Sequence, residues 1–222
     1  MTRFKNLHKT IKLFLLVTAI FASKANSEMK ILELPKPVIK KDYSLDDAIQ
    51  KRRSVRRFDS KDLTLEQMSQ LLWSAQGITD PRTAFRAAPS AGALYPLELY
   101  LVKKDGVWHY KPASHAIELV IDKDLRVDLT KAAWGQSFIN EAPVNVIISA
   151  VYSKVTSRYG DRGYMYTHFE VGHAAQNLEL EAVALGLATV SVGAFDEKAV
   201  ASVLDLPKDQ VPLYIIPVGY SK

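Results

Sequence analysis

Residues 144–151 read Val-Asn-Val-Ile-Ile-Ser-Ala-Val, an apolar run of strand length. Such a run has no wet face, so it predicts a strand at the centre of a sheet, covered on both sides. A long helical pattern follows, predicted over 166–185, with Val171, Ala174, Leu178, Ala182 and Leu185 on its buried face and Gly186 as C-cap. A strand over 188–192, a short helix capped by Asp196 and running to Leu204, and a last strand over 213–218 complete this half.

The first half is organised differently. Ser44, with Asp47 three positions on, caps a short helix ending near Arg53. Thr64 and Gln67 form a capping box for a second helix, which Gly77 stops. Residues 97–102 predict a strand, Asp105-Gly106 a hairpin turn with 107–110 returning, and 124–133 another helix. Helices first, then a hairpin, then strand–helix–strand–helix–strand is not regular βαβ alternation, so the fold class is α+β.

Residues 1–27 are a different kind of sequence. They carry five basic residues and no acid, an apolar stretch from Leu13 to Ala22, and small residues at Ala25 and Ser27. This is the pattern of a secretory signal peptide, predicting a periplasmic or secreted protein; the apolar stretch falls short of the roughly 20 residues that span a bilayer. Residues 28–43, with Pro35 and Pro37, read as an extended lead-in, and 44–222 as one domain. The leader holds the whole formal charge of +5, and without it 24 basic residues face 24 acidic ones. A basic pI is therefore no argument for nucleic-acid binding. The chain has no cysteine, which excludes disulfides, thiolate nucleophiles, Fe–S clusters and Cys zinc sites.

Three segments could carry chemistry. Lys51-Arg52-Arg53-Ser54-Val55-Arg56-Arg57 sets five cations and a hydroxyl at the end of a short helix, either a phosphate site or a solvated basic patch. Pro89-Ser90-Ala91-Gly92-Ala93-Leu94-Tyr95-Pro96 is built of small residues that let a ligand approach the backbone, or is an ordinary tight loop. Ser191-Val192-Gly193-Ala194-Phe195-Asp196 turns a strand into a capped helix, where backbone N–H groups can face an acceptor atom. His168, Glu170 and His173 invite a metal reading, but an i, i+5 histidine spacing does not share a helix face. Trp73, Trp108 and Trp134 read as core or interface residues.

In this order, together with Gly135-Gln136, Glu141-Ala142-Pro143, 172–178, Leu185-Gly186-Leu187 and Pro217-Val218-Gly219-Tyr220, these segments resemble the nitroreductase family, within it the SagB/ThcOx-type dehydrogenases. The resemblance spans about 44–220. It implies a mainly antiparallel central sheet flanked by helices, and a homodimer with FMN at the subunit interface. By match to the family motif, Arg52, Arg53, Ser54 and Arg56 would hold the FMN phosphate and ribityl chain. Gln136 would reach the ring edge. Pro89, Ser90, Ala91, Gly92 and Leu94 of the other subunit would wall the ring, and Val192, Gly193 and Ala194 would supply backbone donors. The activity implied is transfer of electrons from a donor such as NAD(P)H to a small conjugated or aromatic acceptor in two half-reactions. Alternatives are a SagB-like peptide-modifying dehydrogenase or a non-catalytic exported flavin-binding protein. Many members continue past the last strand into an arm bearing extra phosphate ligands; here two residues follow Tyr220, so phosphate binding is expected to rest on 52–56. The Lys-Tyr pair of the azoline oxidases has no counterpart in Arg162-Gly163-Tyr164-Met165-Tyr166. With no G-x-G-x-x-G, no separate Rossmann site is expected.

Overall fold

A computed structural model of the chain describes residues 30–39 and 42–222. The chain divides into 1–30 and 31–222, and the expected signal peptide lies outside the described residues. Among the described residues no helix is long and apolar enough to cross a membrane.

The second unit is built on a seven-stranded sheet in the order β1-β6-β5-β4-β7-β9-β8, with every neighbouring pair antiparallel. The strands are β1 (Ile31–Glu33), β4 (Leu97–Lys103), β5 (Gly106–Lys111), β6 (Ala116–Ile121), β7 (Val144–Val151), β8 (Ala188–Thr189) and β9 (Gln210–Gly219). A ribbon of β2 (Ile78–Asp80) and β3 (Phe85–Arg86) stands apart. The helices are α1 (Leu45–Lys51), α2 (Leu65–Gln76), α3 (Arg126–Ala132), α4 (Phe138–Glu141), α5 (Ser153–Tyr159), α6 (Arg162–Ala184) and α7 (Glu197–Val203). This is the α+β architecture expected, a large antiparallel sheet flanked by helices.

All eight residues of β7 are buried. Because side chains alternate along a strand, Val144, Val146, Ile148 and Ala150 enter one core with Leu71 and Leu72 of α2 and Ala174 and Leu178 of α6. Ile147 enters a second core with Leu129 of α3, Ile139 of α4 and Val200 of α7. The capping box at Thr64 is complete: its hydroxyl accepts from Gln67 N, and Gln67 Oε1 accepts from Thr64 N.

Four expectations need correction. The hairpin turns at Lys104-Asp105, and Gly106 is already the first residue of β5 at φ +130°. Its glycine serves a close approach, since a Cβ there would lie 2.3 Å from Ile121 O in β6. The long helix begins a turn earlier, at Arg162, where Gly163 lets α6 press against α5; a Cβ on Gly163 would lie 2.7 Å from Thr156 N. The strand expected over 188–192 pairs regularly only at Ala188 and Thr189, then meets β9 again through a single bridge from Val192 to Ile215. Part of the extended lead-in is β1, which pairs with β6, a strand the hydropathy pattern had not revealed.

Replacing Ile147 with alanine opens a cavity between β7 and the α3–α4–α7 layer. The expected loss is about 2–5 kcal/mol in urea unfolding, against little change for exposed Ile31→Ala.

Candidate functional site

The basic run is held as a taut strap. Arg52 caps α1 through its N–H to Ala48 O, and the chain then straightens. Ser54 runs parallel to Thr189, and Val55 N donates to Thr189 O at 2.9 Å. Phe58 is buried, and Asp59 N donates to Tyr220 O at 2.8 Å. Between these anchors Arg53, Ser54, Arg56 and Arg57 face solvent. Arg52 Nη1 lies 3.5 Å from buried Glu179, whose other oxygen accepts from Ser191 Oγ at 2.6 Å. Arg53 turns back to the carbonyls of Gln50 and Arg52 at 2.8 and 2.7 Å. The Arg56 guanidinium lies 5.8 Å from the centre of the Phe138 ring. Among the described residues, none of Arg53, Arg56 and Arg57 is paired with a carboxylate, leaving their charge available to an anion.

The 191–196 turn lies against this strap. Val192 exchanges both backbone hydrogen bonds with Ile215, at 2.9 and 3.0 Å. Its N–H is therefore committed to the sheet. The N–H groups of Gly193 and Ala194 make no hydrogen bond among the described residues. Gln136 braces the turn, its amide nitrogen donating to Ala133 O (3.0 Å) and Ala194 O (2.8 Å). That leaves Oε1 as the group it can offer a ligand. Trp134 beside it is 69% exposed, outside the core, whereas Trp108 is buried.

The third segment is built separately. Residues 91–93 form one 3₁₀ turn, and Gly92, Ala93 and Tyr95 all have positive φ (63°, 54° and 47°). Two of those three are not glycine, so the loop carries backbone strain. It is closed by Tyr95 N donating to Ser90 Oγ at 2.9 Å, and Arg86 N donates to Tyr95 Oη at 3.1 Å. The Arg86 guanidinium lies over the Tyr95 ring and donates to Gln76 Oε1 at 3.0 Å. Gln76 Nε2 in turn donates to Glu170 Oε1 at 3.3 Å.

Glu170 is 2% exposed. Burial pushes its carboxyl up to about 7, against the pull of hydrogen bonds from Ser90 and Gln76 and of the charges on Arg86 and Lys154. Nearby Glu98 goes the other way. Burial works against its charge, yet bonds from His109 (2.9 Å) and Lys154 (2.8 Å) hold it down at about 2.

The strap, the 191–194 turn and Gln136 thus come together within one chain. The 89–94 loop does not join them. It meets α6 at Glu170, while the strap meets α6 at Glu179, nine residues and about 13 Å along the axis. Elsewhere on α6, His168 Nε2 is 2.6 Å from Tyr152 Oη, and Tyr164 packs on Tyr152. Tyr166 packs on Tyr159. Sequence reasoning missed Glu179, Gln76 and Arg86, and read Glu170 as a metal candidate only. The available signal was phase: Glu170 and Glu179 fall in step with the apolar stripe of α6, where a carboxylate must find donors.

The sequence profile of the nitroreductase family matches residues 49–220. A protein of Methanocaldococcus jannaschii, MJ1384, which carries a nitroreductase name, is 44% identical over 194 residues, 85% of this chain and 96% of its own. The microcin B17-processing protein McbC of Escherichia coli is 27% identical over 169 residues, 71% of this chain and 62% of its own. Among solved structures, a nitroreductase-like protein of Ralstonia eutropha superposes with TM-score 0.81 at 26% identity, covering 89% of this chain and 92% of that one.

Glu170 also has a consequence for stability. Its folded value lies above the unfolded one, so the folded chain keeps a proton that the unfolded chain releases. Stability therefore falls as pH rises from about 4.5 to about 7 and stays lower above that. Glu170→Gln is expected to remove this fall, a difference on the order of 2–3 kcal/mol between about pH 4 and pH 8 in urea unfolding.

Proposed function

Since the chain belongs to the nitroreductase family, we propose that it is an FMN-dependent oxidoreductase that works as a homodimer and passes electrons to a small conjugated acceptor. The observation that carries this reading is the pairing of a strap of carboxylate-free guanidiniums with two uncommitted backbone N–H groups one turn away. A phosphate monoester needs the first, and the polar edge of a flavin ring needs the second.

The donor set fits the cofactor. Arg53, Ser54 and Arg56 would bind the phosphate. Arg52, steadied by Glu179, would orient the ribityl chain. Gly193 and Ala194 would donate to ring acceptors, and the absence of a side chain at Gly193 leaves the approach open. Gln136 would offer its Oε1 while its amide nitrogen holds the turn in place. A flavin held by these residues would supply two-electron redox chemistry.

A second copy supplies the missing wall. Pro89, Ser90, Ala91, Gly92 and Leu94 stand too far along α6 to close over the same ligand in one protomer. Along α6, Met165, Phe169, Gly172, His173 and Gln176 form an exposed stripe suited to a symmetric partner. NAD(P)H is the donor to test first. The leader points to work outside the cytoplasm, where nicotinamide is scarce and another donor could serve. The likeness to McbC favours a second reading, a peptide as the molecule oxidised.

Purified leaderless protein is expected to be yellow and to bleach with NADH or NADPH under anaerobic conditions. A yellow protein that neither reduces is a flavin carrier; a colourless one that takes up no FMN overturns the reading. Ser54→Ala with Arg56→Ala touches no buried contact and is expected to weaken FMN binding at least tenfold in fluorescence titration, with the fold intact. Phe169→Asp is expected to give a monomer in light scattering and to release the flavin.

A further inference from the structure

We propose that Glu170 is a positioning residue, a proton-operated latch that sets the shape of the 90–95 loop and through it the grip on the cofactor. This rests on the cofactor reading above and adds a regulatory element to that site.

The geometry is a single chain of donors ending on one carboxyl. Tyr95 N donates to Ser90 Oγ, and the Ser90 hydroxyl faces the Glu170 carboxyl. From the other side, Arg86 donates to Gln76, and Gln76 donates to Glu170. The first branch begins in the loop and the second in β3, where Arg86 N donates to Tyr95 Oη and its guanidinium covers the Tyr95 ring; both close on α6. The loop needs such a fastening, because Ala93 and Tyr95 occupy left-handed backbone that neither residue favours.

Ionised, the carboxylate accepts the Gln76 bond as a charge-assisted one, roughly twice as strong as a neutral bond, and attracts the Ser90 hydroxyl that faces it. Protonated, it carries a hydrogen that must displace or share one of them, and the strained loop is held less tightly. The charged groups facing Glu170 are Arg86 from β3 and Lys154 from α5. Arg86 in turn faces Glu98, Tyr95 and Tyr110. These cations favour the ionised latch while burial opposes it, so the balance falls near neutral pH. The ionised form destabilises the fold and tightens the loop, so folding and site geometry favour opposite protonation states of one carboxyl.

The test compares wild type, Glu170→Gln and Ser90→Ala at about pH 6 and about pH 8. FMN affinity is read by fluorescence titration. Amide exchange of residues 86–96 in the flavin-free protein, corrected for intrinsic rates, is read by mass spectrometry. Wild type is expected to bind FMN about tenfold tighter at the higher pH. Glu170→Gln is expected to keep only the smaller tightening that the second ionisation of the FMN phosphate brings, and so to bind several-fold more weakly than wild type at the higher pH. Amides 90–95 of wild type are expected to gain protection as pH rises, a step lost in both variants. A pH profile for Glu170→Gln that parallels wild type overturns the latch. Should no form bind FMN, the cofactor reading fails and exchange alone decides: a wild-type step absent from both variants sustains the latch, and an equal response in all three overturns it.

Discussion

Burial of β7 on both faces is the constraint from which the rest follows. A strand with no solvent face must have strands on both edges and helices on both sides. Here β4 and β9 supply the edges, α2 and α6 cover one face, and α3, α4 and α7 cover the other. Two polar residues interrupt the apolar run, and Asn145 Oδ1 is buried there without a hydrogen-bond partner among the described residues. Asn145 Nδ2 donates to Ile139 O in α4, and Ser149 Oγ donates to Gln210 at the start of β9. Because β9 is fixed against β7, Val192 finds Ile215 and the following turn is set. Because α6 is fixed against the same strand, its two buried glutamates are carried to two different segments, the strap with its adjoining turn and the 90–95 loop.

Those glutamates divide the work. Glu179 sits between Arg52 and Ser191, joining the strap to the 191–194 turn, so one carboxylate orders two halves of a proposed cofactor cradle. Glu170 serves the distant loop and lies among donors rather than in a tight ion pair, which leaves its proton negotiable. A helix that is otherwise an apolar packing element thus doubles as a ruler, setting two polar anchor points a fixed distance apart.

Much of the fold could be read from the residues because its signals are local. The capping box at Thr64, the Asp196 cap and the apolar run of β7 each depend on neighbours in sequence, and each is present in the structure. What escaped depends on distant partners. β1 is three residues long and exists because β6 lies beside it. Gly106 looked like a turn residue, yet what demands glycine there is the carbonyl of Ile121 fifteen positions later. The same division holds for the site. The basic run and the two small-residue turns were legible as composition, and family resemblance gave them roles. Gln136 acting as a brace, and the polar chain from Arg86 to Glu170, arise from folding and have no spacing that announces them.

The strap has a further implication for how the protein comes into being. Arg52 meets Glu179 across 127 positions, and Gln67 near the same end of the chain meets Tyr220 across 153. A ribosome, or a translocon threading the chain from its N-terminus, therefore delivers the cationic strap long before the elements that straighten it. Until the last strand emerges, those arginines are an unshaped polycation. The proposed cofactor site is therefore complete only once the C-terminal elements have folded against the strap.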